Sequence, residues 1–296
     1  MQIKDFKVDE NLKELTSHRT VVMPVACYET KISNNINGKI PLHWHDEIQL
    51  ILILKGEAMV QINEDKLSVN EGNGIFINSG CLHSAEDLSG DCIYICLNVS
   101  PHFLLPQELF SSYIYPYIQA TNLPYIRIDR NNSWGKNIID TIVEINKLIN
   151  ENSPFFEINI TSLLTFIWKQ LIRNGFKLEY SQTEAEKHKR VKEMLNWIHL
   201  HYAQKISLCD IAKAGKLSNS ECCRYFKKIL KTTPINYLIN YRIQKSLLLL
   251  QEPDSNVTEV GFKVGFNSTS YFIEKFRKSM NMTPLVYKKK EMVNEI

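Results

Sequence analysis

Three histidines in the first third of the chain have the residue type and spacing of a metal site or a polar binding pocket. His43 and His45 alternate along a segment that resembles a strand, so both side chains point to the same side of it. His83 follows on a later strand and can reach the same point inside a small barrel. Three imidazole nitrogens and one oxygen suit zinc or iron. A core-packing role for His43 and His83 is the alternative.

The sequence around these histidines predicts a β-domain that must position them. From about residue 20 to 130, short apolar runs such as Ile48–Leu54 and Ile93–Val99 alternate with Gly, Asn and Asp turn residues. Several short strands at close spacing favour a sandwich or a barrel. After about residue 130 the period becomes helical, with apolar stripes over 138–149 and 158–172. These stripes predict two helices that pack either on the β-domain or on the same helices of a second subunit.

Composition excludes several classes of protein. The chain has 296 residues, 44% hydrophobic and 23% charged, which is typical of a globular protein of about two domains. No apolar run approaches the ~18 residues that suggest a membrane span, and the charged N-terminus does not resemble a signal peptide. The seven cysteines form no C-x-x-C pair. We therefore expect free thiols in a reducing cytoplasm, with neither a disulfide framework nor a structural zinc site.

Charge is divided unevenly along the chain. Residues 1–185 hold 15 Lys and Arg against 22 Asp and Glu, a net charge of −7. Residues 186–296 hold 20 against 10, a net charge of +10. A basic C-terminal third on an acidic body indicates a polyanionic partner for that third.

A repeat at an offset of 50 residues marks the same C-terminal third. Its two copies share a serine, a Phe followed by two basic residues, a Thr-Pro pair and a tyrosine. These are Ser218, Phe226-Lys227-Lys228, Thr233-Pro234 and Tyr237 in the first copy, and Ser268, Phe276-Arg277-Lys278, Thr283-Pro284 and Tyr287 in the second. A short helix, 208–214 or 257–264, and a tight turn precede each longer helix. The pattern predicts two helix-turn-helix units joined by a helix over about 235–250.

The longer helix of each unit has one face that predicts burial and another that suits DNA. Ser218 is a good N-cap for the first, and Asn267 or Ser268 for the second. The outer faces carry small, polar and basic side chains, which fit the major groove and the neighbouring phosphates. The candidate DNA-binding residues are Ser220, Cys223, Arg224, Lys227, Lys228 and Lys231 in the first unit, and Ser270, Tyr271, Glu274, Arg277 and Lys278 in the second.

The second unit carries the most specific motif, which runs from Val257 to Phe272 and continues through Phe276-Arg277-Lys278 to Thr283-Pro284. With it, residues 189–288 resemble the DNA-binding domain of AraC-type transcription regulators. The resemblance implies base readers at Ser220, Cys223 and Arg224, and at Ser270, Tyr271 and Glu274. Three residues depart from the family pattern: Gly261 replaces the usual Ala, Lys216 the usual turn glycine, and Glu274 a common Arg. Unlike Arg, Glu274 can accept a hydrogen bond from cytosine N4.

The β-region resembles the cupin-like sensor domain of the same family over about residues 40–100. In metal-binding cupins a ligand Glu follows the two histidines, and Gln49 holds that place here. Gln is a poor ligand for such metals, and although Glu47 has the strand parity to replace it, we expect no bound metal and no cofactor. The resemblance implies a small effector in the barrel, often a sugar or a related metabolite. The candidate effector-binding residues are His43, His45, Gln49, His83 and Tyr94.

The sequence thus predicts a multidomain α+β protein. A cupin-like β-barrel covers 1–130, a helical dimerisation segment 131–180, a linker 181–188 and an all-α double helix-turn-helix domain 189–290. We expect a cytoplasmic, homodimeric, effector-responsive regulator and not an enzyme. Its expected partners are double-stranded DNA, a small-molecule effector and RNA polymerase, and the expected outcome is activation of nearby metabolic genes.

Two alternatives stay open at this point. The first is a cupin metal-dependent isomerase or oxygenase with an accessory helical domain, which Gln49 and the paired helix-turn-helix units argue against. The second is a DNA-binding protein that needs no ligand and uses its barrel only to dimerise. A ligand-induced shift in melting temperature separates the second alternative from an effector-responsive regulator.

Overall fold

A computed structural model describes residues 12–14, 23–35, 38–151, 154–173, 176–252 and 254–294. The chain divides into two compact units, residues 1–185 and 186–296. The boundary falls inside the predicted linker, yet residues 182–188 form the first turns of helix α5 (Gln182–His201). Helix α5 therefore begins inside the predicted linker, before the all-α domain predicted from residue 189.

The first unit contains two antiparallel sheets. The five-stranded sheet has the order β1 (Val25–Lys31), β8 (Ile93–Val99), β3 (Ile48–Lys55), β6 (Gly74–Ile77) and β9 (Tyr125–Ile128). The four-stranded sheet has the order β2 (Lys39–His43), β7 (His83–Asp87), β4 (Glu57–Ile62) and β5 (Asp65–Asn70). This double-sheet arrangement confirms the predicted cupin-like β-fold.

Strand β3 explains why its sequence is apolar at nearly every position. Ile51 and Ile53 pack in the core that includes residues of both sheets, while Leu50 and Leu52 belong to the core formed with the helices. Because successive side chains of a strand point to opposite faces, a strand covered on both sides has no solvent-facing positions to make polar. The alternation expected of a half-exposed strand is accordingly absent from β3.

Helices cover the outer face of the five-stranded sheet. Two short helices, α1 (Gln107–Tyr113) and α2 (Tyr115–Gln119), interrupt the region that the sequence pattern assigned wholly to strands. They are followed by α3 (Ser133–Glu151) and α4 (Phe156–Ile172), close to the predicted positions. Most of the two apolar stripes, including Ile142 and Trp168, is buried against the sheet of the same chain. Intramolecular packing therefore accounts for most of the apolar pattern in the predicted dimerisation segment.

The second unit contains seven helices among its described residues. After α5 come α6 (Leu208–Ala214) and α7 (Asn219–Leu230), then α8 (Pro234–Gln251), and finally α9 (Val257–Lys263), α10 (Thr269–Met280) and α11 (Pro284–Asn294). Helices α6 and α7 form the first helix-turn-helix unit, and α9 and α10 form the second. The expectation of two such units joined by a helix is confirmed. No described helix in either unit is long and apolar enough to cross a membrane.

The turns of the two units differ by one residue. Helices α6 and α9 begin 49 residues apart, whereas α7 and α10 begin 50 apart. In each turn one residue takes a left-handed conformation, Lys216 with φ 53° in the first and Gly265 with φ 93° in the second. A side chain in this region of φ is strained, which is why glycine is usual there.

Replacing Lys216 by Gly is expected to raise the free energy of unfolding by about 0.5–1 kcal/mol, because it removes the left-handed strain of a residue with a Cβ. The matched control is Gly265→Ala, where the added Cβ would lie 2.6 Å from the carbonyl oxygen of Tyr202. That variant should be destabilised. Urea unfolding of both variants measures the two effects, and a destabilised Lys216→Gly would contradict the strain argument.

Gly261 has a packing reason for its departure from the family pattern. It lies on α9, at the position that Ala212 occupies on α6. A Cβ at Gly261 would approach Cδ1 of Phe272 to 2.9 Å, and the Phe272 ring is fully buried. The glycine therefore lets this ring pack close to the helix backbone, which offsets the roughly 1 kcal/mol that glycine costs in helix propensity.

Candidate ligand cavity and nucleic-acid interface

The three predicted histidines meet at one end of the four-stranded sheet. His43 ends β2 and is paired in register with His83 at the start of β7, while His45 lies two residues beyond the strand. The ring centroid of His83 is 4.1 Å from that of His43 and 5.0 Å from that of His45. All three side chains are buried, and one ring nitrogen from each lies within 4.8 Å of the other two.

The hydrogen bonds of these rings fix their tautomers. In each histidine Nδ1 lies close to the main-chain carbonyl oxygen of a residue two positions away, at 2.8 Å for His43, 3.1 Å for His45 and 2.9 Å for His83. A carbonyl oxygen can only accept, so the proton of each neutral ring must be on Nδ1. The lone pair of every ring is therefore on Nε2.

Two carboxylates approach the histidines from different sides. Glu47, which has the strand parity to replace the missing cupin Glu, places Oε2 3.7 Å from Nδ1 of His45, the nitrogen already bonded to a carbonyl. Glu14 places Oε2 3.9 Å from Nε2 of His43. Glu14 is buried, and its backbone is joined to Trp44 by a hydrogen bond of 2.9 Å. The sequence gives no sign that Glu14 lies beside the histidines, because nothing in the pattern around it distinguishes it from other charged residues near the N-terminus.

A small internal cavity of about 30 Å³ lies beside the cluster. Four of the five predicted effector-binding residues line it, namely His43, Gln49, His83 and Tyr94, together with Glu14, Thr30, Asn35, Ser84, Cys96 and Asn98. The fifth, His45, belongs to the histidine cluster but does not line the cavity. Gln49 donates to Sγ of Cys96 at 2.9 Å, and its Oε1 accepts no hydrogen bond from a described residue. Burial raises the pKa of Tyr94, so its phenol stays protonated and able to donate.

The first candidate recognition helix, α7, has a well-defined start. Ser218 accepts a hydrogen bond from the backbone N–H of Glu221, and the Glu221 carboxylate accepts one from the backbone of Ser218, which completes a capping box. Phe226 is fully buried and anchors the helix. The predicted DNA-binding residues lie on the other side, with Cys223 half-buried and the rest exposed: Ser220, Arg224, Lys227, Lys228 and, as the C-cap, Lys231.

The second candidate recognition helix, α10, repeats this construction. Ser268 is the N-cap and accepts from the backbone N–H of Tyr271, while Phe272 and Phe276 are fully buried. All five predicted DNA-binding residues are exposed: Ser270, Tyr271, Glu274, Arg277 and Lys278. A surface groove runs beside four of these residues, Tyr271 excepted.

The reading positions of the two helices differ in charge. Arg224 and Glu274 are 50 residues apart and occupy equivalent places on α7 and α10. Arg224 lies 3.7 Å from Glu221, and its side chain is 68% exposed. Glu274 accepts a hydrogen bond from Lys275 at 2.8 Å, and this contact lowers the pKa of Glu274. One unit thus presents a cation where the other presents an anion.

A buried arginine on α8 links the end of α5 to the turn of the second helix-turn-helix unit. Arg242 donates from Nε to the carbonyl oxygen of Tyr202 and from Nη2 to that of Gln204, both at 2.7 Å. Its guanidinium carbon also lies 5.7 Å from the ring centroid of Phe266, in the turn of the second unit. Arg242 therefore holds the end of α5, the joining helix and the second turn together. The sequence pattern placed a helix here but gave no sign that this arginine is buried.

Comparisons with known proteins agree with this architecture. A family model described as an AraC-like ligand binding domain matches residues 28–108, and one described as a helix-turn-helix domain matches residues 211–290. A Bacillus subtilis (strain 168) protein, the uncharacterized HTH-type transcriptional regulator YdeC, is 65% identical over 97% of this chain and 99% of its own length.

More distant relatives share most of the chain. The HTH-type transcriptional activator RhaS of Pectobacterium carotovorum is 23% identical over 82% of this chain and 86% of its own. The melibiose operon regulatory protein of Escherichia coli (strain K12) is 22% identical over 83% of both chains. A ligand-binding β-domain followed by two helix-turn-helix units defines a class of DNA-binding transcription regulators. The chain belongs to the AraC-type family of that class.

Proposed function

We propose that the protein is an effector-responsive activator that binds double-stranded DNA through α7 and α10 and controls nearby metabolic genes. The observation that carries this proposal is the pair of capped helices, each anchored by at least one buried phenylalanine and each exposing polar and basic side chains. Both belong to a unit with a net charge of +10, from 20 Lys and Arg against 10 Asp and Glu. Selection of bound sequences from random DNA is the direct test, because it yields the operator or shows that none exists.

The exposed residues divide into two roles. Small or fork-shaped side chains near the helix N-termini, such as Ser220, Arg224 and Ser270, reach base edges in the major groove. Lys227, Lys228, Lys231, Arg277 and Lys278 lie later on each helix, where the backbone phosphates are nearer. Cys223, Tyr271 and Glu274 complete the proposed reading faces. Glu274, ionised beside Lys275, is suited to accept from cytosine N4.

The affinity of this unit for DNA is expected to depend steeply on salt. Each phosphate neutralised by Lys or Arg releases counterions, so the logarithm of the affinity should fall linearly with the logarithm of the salt concentration. The measurement is a titration of operator DNA with residues 181–296 and with the full chain. This fragment keeps Ser181, whose hydroxyl accepts from the backbone N–H of Glu184 in the first turn of α5. Absence of binding by both proteins at low salt would contradict the proposal.

A homodimer formed through α3 and α4 places two such units on one operator. The support is the apolar surface that intramolecular packing leaves uncovered on these helices and just before α4: Val143 is 46% exposed, Ile158 66% and Phe155 75%. We expect the full chain to sediment as a dimer at tens of micromolar. Ile158→Asp should shift it to a monomer that remains folded. A wild-type chain that sediments as a monomer would remove this part of the proposal.

The effector is proposed to be a sugar or a related metabolite that enters the β-domain. The support is the polar lining of the cavity, together with the relative named for the melibiose operon. An effector changes DNA binding only if it has a higher affinity for one arrangement of the protein than for another. The test is a ligand-induced rise in melting temperature accompanied by a change in operator affinity.

The proposal has two further parts. As an activator, the protein contacts RNA polymerase. As a protein that binds chromosomal DNA, it acts in the cytoplasm. The relative RhaS is named as an activator, which supports the sign of regulation. An enzymatic role for the β-domain is not favoured, because the compared relatives are named as regulators. In vitro transcription from the selected operator measures the sign directly.

A further inference from the structure

We propose that the histidine cluster beside the cavity of the β-domain binds a divalent first-row transition-metal ion through Nε2 of His43, His45 and His83, with the carboxylate of Glu14 beside the ion. This site lies beside the cavity proposed to receive an effector. Metal binding itself requires neither DNA nor a second subunit, so it is tested independently of the regulatory function.

The first argument is the orientation of the lone pairs. Neutral imidazole ligates a metal through the nitrogen without a proton, and a carbonyl bonded to the other nitrogen sets the tautomer and raises ligand basicity. All three rings have this arrangement, with Nδ1 bonded to a main-chain carbonyl two residues away. Three main-chain carbonyls, those of Pro41, Glu47 and Cys81, therefore prepare the same nitrogen for the same role, which core packing alone would not require.

The second argument is the distance between the ligand atoms. One nitrogen from each ring lies within 4.8 Å of the other two. Ligands of a tetrahedral ion at 2.0–2.1 Å are about 3.4 Å apart. Small rotations of the rings about their side-chain bonds close this difference without moving the strands. An ion at the centre would also compensate the burial of three imidazoles and a carboxylate in the interior of the domain.

The third argument is the carboxylate. Gln49 holds the place where a metal-binding cupin has Glu, and from that residue alone we expected no metal. Glu14 supplies the missing negative charge from a different part of the chain, with Oε2 3.9 Å from Nε2 of His43. Its position is fixed because the backbone N–H of Glu14 donates to the carbonyl of Trp44, and that of Trp44 donates to the carbonyl of Leu12, both at 2.9 Å.

The size of the cavity favours an ion as its first occupant. A volume of about 30 Å³ holds one or two water molecules, and a sugar does not fit unless the walls move. Imidazole and carboxylate ligands suit zinc, iron, cobalt or nickel, and geometry rather than affinity separates these ions. The proposal is therefore stated for the class of ion and tested with cobalt, whose visible absorption reports ligand number.

The test is a Co²⁺ titration of the full chain after removal of metal with a chelator. We expect one ion per chain, absorption bands typical of nitrogen and oxygen ligands, and displacement by Zn²⁺. His83→Gln should abolish the spectrum, and Glu14→Gln should weaken affinity about 10- to 100-fold. The matched control is His102→Gln, because His102 is exposed and outside the cluster. Each variant is first shown to keep the melting temperature of the metal-free wild type.

Two results would overturn the proposal. One is a folded wild-type chain that binds no stoichiometric Co²⁺ or Zn²⁺. The other is a folded His83→Gln variant that retains the wild-type spectrum. If His83→Gln does not fold, Glu14→Gln decides, since unchanged affinity there contradicts the role of the carboxylate. Operator binding is measured on the same samples. A chain that binds the operator but takes up no metal ion disproves the metal site alone. A chain that takes up the metal ion but binds no operator disproves the proposed function alone.

Discussion

Replacing Arg242 by Ala is expected to lower the free energy of unfolding of the C-terminal unit by about 3 kcal/mol. The variant loses two hydrogen bonds from a charged donor, each of which contributes about 1.5–3 kcal/mol, and it leaves the carbonyls of Tyr202 and Gln204 without this donor. It also removes the contact with the ring of Phe266. The measurement is urea unfolding of the full chain, followed through its C-terminal transition.

The same substitution should weaken operator binding more than its effect on folding explains. Arg242 joins the end of α5 to the turn before α10, so its loss should allow α10 to move relative to α5 and α8. Arg242→Lys is the matched variant, because it keeps the charge but cannot make both carbonyl bonds in the same geometry. We expect it to fall between the wild type and Arg242→Ala. An Arg242→Ala protein with wild-type stability and affinity would show that other contacts fix the position of α10.

Arg224→Ala is expected to cost roughly 1–3 kcal/mol at the preferred operator and to relax the choice at one base position. The guanidinium presents two parallel donors to O6 and N7 of guanine, which no small residue can replace. Lys228→Ala should instead weaken binding to all sequences alike and reduce the salt slope by about one unit. Both variants are measured on a panel of single-base operator changes.

The contact between Arg224 and Glu221 supplies the competing explanation, namely that Arg224 only pairs along the helix. The distance of 3.7 Å and the 68% exposure of Arg224 describe a weak surface pair. Glu221 is also engaged in the capping box of α7, so its main structural partner is Ser218. An even loss of affinity across the panel for Arg224→Ala would support the pairing role and would place the reading face of α7 elsewhere.

The sequence predicts the DNA-binding unit well because its determinants are local. The caps Ser218 and Ser268 and the buried positions of Phe226 and Phe276 follow from helical spacing within a few residues. The repeat then confirms each assignment by a second copy. The one-residue difference between the turns was not predicted, because the offset of 50 begins after the turn and the short helices follow an offset of 49.

The β-domain is less predictable because its cavity is assembled from distant segments. His43 and His83 were recognised from residue type, but the carboxylate beside them comes from Glu14, far earlier in the chain. The apolar stripes of α3 and α4 were equally consistent with two partners, and only packing shows that the sheet of the same chain covers most of them. Likewise, nothing local to Arg242 indicates that its partners are carbonyls some 40 residues earlier.

If α7 and α10 read DNA as proposed, the opposite charges at Arg224 and Glu274 would give the protein a direction on DNA. If the two recognition helices preferred the same bases, the protein would bind a site and the same site shifted along the DNA equally well. Recognition helices with different base preferences, held in a fixed order by α8, would distinguish the upstream end of a site from the downstream end. Each monomer would then bind its site in a single orientation. Reversing the operator would present the surfaces that contact its partners to the wrong side of a promoter.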